Sequence, residues 1–236
     1  MRILSALALT AVLLLPAAAR ADGLIYQLPA DGTSAEFDLK ISFEGNNQKE
    51  KFDGSLVIKS VGKQKVDDVE CRWIEFKLFM KLGDREQTDR AKVLVPDAEL
   101  TRGKNPIGNV QKAWYKLGYR EPREITDFSR GGAEPLPTFL SGPLKDAKEL
   151  KAETVESSLG KLECKGVTGT TEYTADGRKN AIIFTNRLHE KAPFGIVSSV
   201  MEVEISRDGQ VRQNVTMRLT LSKVGKDAKS ELSDLN

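Results

Sequence analysis

Few residues of this chain could do chemistry. There are two cysteines, Cys71 and Cys164, and one histidine, His189. A thiolate nucleophile needs a base within hydrogen-bond reach, and nothing in the local spacing ties His189 to either cysteine. Zinc sites draw on several histidines or cysteines, which this sequence does not cluster. A Ser-His-Asp triad would have to use His189, and no Gly-x-Ser-x-Gly turn exists to present its serine. An Asp-x-Asp-x-Asp-Gly calcium loop is missing, and Gly131-Gly132 is not followed by the helix that a phosphate loop requires. Carboxylates such as Asp67-Asp68, Glu202 and Glu204 could act as an acid–base pair only where a fold converges them. The sequence points to no catalytic residue, no metal and no cofactor, and a carboxylate-based hydrolase ranks last among its functional readings.

The cysteines have a simpler use. Residues 1–21 read as a cleavable signal peptide: Arg2, then the apolar run Ile3–Leu15, a break at Pro16, and Ala19-Arg20-Ala21 before the cut. That apolar run is 13 residues long, and at 1.5 Å per residue it spans roughly 20 Å, short of the ~30 Å hydrocarbon core. The expectation is an exported protein, periplasmic or extracellular, with no transmembrane segment in the mature chain. Export permits a Cys71–Cys164 disulfide. Two buried thiols packed as small hydrophobes are the alternative.

Loss of Arg2 and Arg20 with the signal brings the 36 basic residues to 34, against 34 acidic ones. A mature charge near zero, with the signs interspersed, gives no field to attract nucleic acid or an anionic membrane. The predicted organisation is a signal peptide (1–21), a single β-rich domain (22–224) and a loose C-terminal tail (225–236).

The elements that must position any site alternate with period two. Phe37, Leu39, Ile41 and Phe43 share one face of a strand over 35–44, and Phe52, Leu56 and Ile58 repeat the alternation after Gly45-Asn46-Asn47. Ile74, Phe76, Leu78, Met80 and Leu82 form the next apolar face, and the chain returns from Gly83-Asp84 through Ala91, Val93 and Val95. Strands resume over 149–157, 161–171, 180–188, 197–206 and 210–223, the last two joined by the hairpin signal Arg207-Asp208-Gly209. Between the two sets, Asn105-Pro106 reads as a helix start, with Ile107, Val110, Trp114 and Leu117 at helical spacing and Gly118 as the stop. A Pro/Gly-rich connection over 119–143 follows, with a short helical turn predicted near 137–140. The predicted fold is mainly β: an antiparallel curved sheet or half-barrel packing around one central helix and a long Pro/Gly-rich loop.

This order of elements resembles the periplasmic half-barrel superfamily of lipoprotein carriers and related lipid-binding proteins. The run Gly160-Lys161-Leu162-Glu163-Cys164, followed by Pro193-Phe194-Gly195-Ile196-Val197, is also similar to a pattern in uncharacterised exported bacterial proteins. The half-barrel resemblance implies a concave apolar face, partly lidded, that would hold an acyl chain or another apolar small molecule or lipid by burial of area. Phe37, Ile41, Phe76, Met80 and Trp114 are the expected lining. The leading expectation is a non-enzymatic exported binding or carrier protein, with a structural or protein-interaction module of the cell envelope as the alternative.

Overall fold

The computed structural model describes residues 23–45, 48–101, 104–127, 135–140, 142–175 and 177–232. The expected signal peptide and residues 233–236 lie outside the described residues.

Each alternating segment forms a strand. The first set comprises β1 (Ser34–Gly45), β2 (Gln48–Val66), β3 (Val69–Leu82), β4 (Arg85–Pro96), β5 (Lys112–Leu117) and β6 (Arg123–Glu124). A single helical turn, α1 (Pro135–Phe139), precedes β7 (Lys145–Ser157), β8 (Gly160–Ala175), β9 (Arg178–Leu188), β10 (Ile196–Arg207) and β11 (Gln210–Gly225). All join one antiparallel sheet of 11 strands, ordered β6-β5-β4-β3-β2-β1-β11-β10-β9-β8-β7. Two meanders are thus fused where β1 pairs with β11, from Ser34 opposite Gly225 to Gly45 opposite Gln213. The β10–β11 hairpin turns through Asp208 and Gly209 at φ 54° and 73°, the mirror-image turn whose twist suits antiparallel strands.

One face of this curved sheet is the core. Phe37, Leu39, Leu56, Ile58, Ile74, Phe76 and Val93 from one meander meet Cys164, Ile182, Phe184, Met201, Leu219 and Leu221 from the other. The curl brings the β7–β8 tip back to the middle of the sheet, where the Ser158 N–H donates to the Leu221 carbonyl at 3.1 Å.

The expected helix over 105–118 is absent. Asn105 does cap a turn, its side-chain oxygen accepting from the Gly108 N–H at 3.1 Å, but the turn ends after Ile107–Asn109. Val110 is extended, and Lys112–Leu117 pairs with β4. The same residues also alternate, Ala113 and Tyr115 buried between Lys112, Trp114 and Lys116. An open β4 edge offers backbone partners that an isolated short helix cannot match. The turn near 137–140 does form, as α1.

The disulfide is not formed either. Cys71 and Cys164 are both free and buried, on β3 and β8, in separate apolar clusters. Nor is the start of the tail loose: the Ala228 N–H donates to the Gly32 carbonyl at 2.8 Å, and Leu232 is buried. Among the described residues no helix is long and apolar enough to cross a membrane.

Candidate functional site

The inner face of the sheet is an apolar wall interrupted by the buried polar residues Asn180, Asn186 and Ser199, and alternation puts it there. A strand with apolar residues at every second position can bury only that side. The sheet's own curl closes part of this wall, and among the described residues the rest of its cover is a set of short pieces. Residues 23–28 run across it, Leu24 and Ile25 buried, and the Leu24 N–H donates to the Phe139 carbonyl at 3.0 Å. From α1 and the residue after it, Leu136, Phe139 and Leu140 point in, and Phe139 stacks on Phe76 with ring centroids 5.6 Å apart. The link between β9 and β10 adds Ala192 and Phe194, and the Phe194 carbonyl accepts from the N–H groups of Tyr26 and Gln27. Gly195 is required in that link. It sits at φ 80°, and a Cβ there would lie 2.9 Å from the Tyr26 Cβ.

Two buried polar groups anchor the leading segment. The Ser199 hydroxyl donates to the Asn186 Oδ1 at 2.7 Å, and the Asn186 amide donates to the Gly23 carbonyl at 3.4 Å. The Gln27 amide reaches the Ala192 carbonyl at 2.7 Å. Beside Phe76, Tyr115 and Phe139 the remaining void is about 10 Å³, room for one water at most.

Of the expected lining, Phe37, Ile41 and Phe76 share this inner face, and Met80 is half-buried on it. Trp114 is not with them. It lies on the outer face against Cys71, Trp73 and Leu94, where its Nε1 is buried without a hydrogen-bond partner. The carboxylates of the hydrolase reading are also dispersed. Asp67 and Asp68 form the β2–β3 turn at positive φ, while Glu202 and Glu204 are exposed on β10. His189 accepts the Lys191 N–H at its Nδ1 and lines a shallow cleft of about 690 Å³ with Glu149, Glu163 and Lys165. Among the described residues no cluster of three or more His, Cys, Asp or Glu is placed to hold a metal ion. Burial pushes both cysteine thiols above their ordinary range, and the Asp97 charge adds to the effect at Cys71, the opposite of nucleophile activation.

Two features escaped the sequence. At one end of the apolar wall, where the β1–β2 and β10–β11 hairpins and the start of β9 meet, a half-open cleft of about 700 Å³ carries Arg178, Arg207 and Arg212 beside Phe43 and Ile205. Arg178 continues the inward phase of Asn180, Ile182 and Phe184, a signal present in the sequence. The second is a polar site on the outer face of β2–β4. Lys59 lies opposite Glu75, and Glu75 opposite Lys92. Buried Glu75 accepts the Ser230 hydroxyl at 2.6 Å and the N–H groups of Glu231 and Leu232 at 3.0 and 3.4 Å. The Lys92 ammonium donates to the Leu232 carbonyl at 3.1 Å and sits 4.5 Å from the Trp73 ring centroid. Glu231 pairs with Lys59, Lys77 and Arg90 at 2.7, 3.1 and 2.8 Å. Its partial burial would raise the carboxyl, but hydrogen bonds from these three cations outweigh that and hold it at about 2.

No family model matches the chain, and no curated protein matches it. Two solved structures are similar over most of its length. One is a DUF1329 family protein from Desulfovibrio piger, 12% identical, covering 88% of this chain and 92% of that one with a TM-score of 0.37. The other is a β-barrel-like protein of domain of unknown function DUF1849 from Brucella abortus, 10% identical, covering 86% of this chain and 99% of that one with a TM-score of 0.28. Neither likeness assigns a residue or an activity to this chain.

Proposed function

We propose that this is a non-enzymatic exported binding or carrier protein whose inner face holds the apolar chain of a lipid-like ligand. The observation that supports the reading is the nature of the cover. Where the curl of the sheet does not close the wall on itself, its described cover is a helical turn, a short N-terminal run and one loop. The turn and the residue after it contribute three apolar side chains, Leu136, Phe139 and Leu140, with the Leu24–Phe139 backbone bond tying the turn to the leading segment. An acyl chain offers the wall the same apolar contact that these three side chains provide.

The energetics set a threshold. Returning three apolar side chains to water costs about 6 kcal/mol at about 2 kcal/mol each, and each ligand methylene recovers about 0.8 kcal/mol, so the exchange balances near eight methylenes. Titration with primary alcohols from hexanol to tetradecanol, read by displacement of an apolar fluorescent probe, tests this. Binding is expected to begin near eight carbons and to tighten about fourfold per added methylene. Phe139→Ala should move the onset to shorter chains. Absence of saturable binding at every length, in both proteins, would sink the proposal.

A further inference from the structure

The apolar wall ends in charge at one place, the cleft that holds Arg178, Arg207 and Arg212. We infer that this mouth takes the anionic headgroup, of phosphate or carboxylate chemistry, of the amphiphile whose chain lies on the inner face. The inference rests on the binding reading above and specifies its ligand.

The placement of the arginines argues for it. Arg178 is in register with the inward residues of β9, so its guanidinium extends from the side of the sheet that faces the core. Phe43 and Ile205, both packed against the core, share the cleft with it, so an apolar path runs from the wall to the charges. Phe43 also meets Phe52 edge-on at 5.5 Å on the same face. The buried or half-buried cations Arg72 and Lys59 are engaged, Arg72 by Asp97 and Ser60 and Lys59 by Glu75 and Glu231. The three mouth guanidinium groups have no hydrogen-bond or ion-pair partner among the described residues. Glu50 and Asp208 line the same cleft and offset two of the three positive charges. The balance favours a small anion, and a guanidinium fork fits carboxylate or phosphate oxygens in pairs.

The test compares dodecyl phosphate, dodecanol and inorganic phosphate by calorimetry on the protein and on the triple variant Arg178→Gln, Arg207→Gln, Arg212→Gln. These side chains are exposed, so the variant should fold, and its circular dichroism and unfolding midpoint verify that. Dodecyl phosphate should bind about tenfold tighter than dodecanol, and the variant should abolish the difference. Equal affinities in the unmodified protein, or a preference that survives in the variant, would overturn the inference while leaving the apolar site standing. Binding of inorganic phosphate as tight as dodecyl phosphate, with none of dodecanol, would mean a free-anion site and would refute both readings. No binding of any of the three would also refute both.

Discussion

Glu231→Gln isolates the electrostatic part of the outer-face clasp, because the N–H groups of Glu231 and Leu232 still reach Glu75 in the variant. The wild-type carboxyl titrates at about 2 in the folded protein against an ordinary value of 4.5. In a dry site that difference would be worth ~3 kcal/mol. The side chain is 32% exposed, so screening reduces the expected loss to ~1–2 kcal/mol at pH 7 and low salt. The sign follows from the depressed value. The stabilisation is fully present above about pH 4.5 and is lost as pH falls toward 2, so about 40% of it remains at pH 3. Urea unfolding of both proteins at pH 7, 5, 4 and 3 reads this directly. The gap between the midpoints should hold from pH 7 to 5 and then close, and 0.5 M salt should narrow it at pH 7. A gap equally wide at pH 7 and pH 3, or no gap at pH 7, would refute the account of the clasp.

The two thiols should resist labelling in the native protein and react together on unfolding, and the intact mass should be that of two free cysteines; rapid native labelling or a mass two hydrogens lighter contradicts the buried, unpaired placement of Cys71 and Cys164. Gly195→Ala should cost ~1–3 kcal/mol in thermal or urea unfolding, since alanine at φ 80° is strained and its Cβ would meet Tyr26; a neutral substitution would mean that the cover over the inner face is not packed as described.

The strands were legible because period two is a strong signal when one face is buried and the other wet. In β3, Ile74, Phe76 and Leu78 alternate with Trp73, Glu75 and Lys77, and no other regular structure separates those sets. The segment 105–118 was misread because its apolar residues satisfy two periods at once. Local capping favoured the helix, and the neighbouring strand, invisible in a local window, decided for β5. The tail was misread for a related reason. Ser230-Glu231-Leu232 is weakly apolar and carries no structural signal of its own, and its partners Glu75, Lys77, Arg90 and Lys92 lie far back in the chain. Of the five expected ligand residues, the four that alternate on strand faces fell on the inner face, Phe37, Ile41 and Phe76 buried and Met80 half-buried. Trp114 fell on the other side because its assignment depended on the helix.

The alternation that separates the two faces of β2, β3 and β4 also divides their work. Inward, Ile58, Ile74, Phe76 and Val93 form the wall that the helical turn covers. Outward, one residue along each strand, Lys59, Glu75 and Lys92 hold the chain's far end. A register slip of one residue between these strands would bury charges against the wall and expose its apolar residues. The row Lys59–Glu75–Lys92 penalises such a slip twice, because it would also release the backbone of residues 230–232. The clasp therefore holds the strands in the register that keeps the inner face apolar.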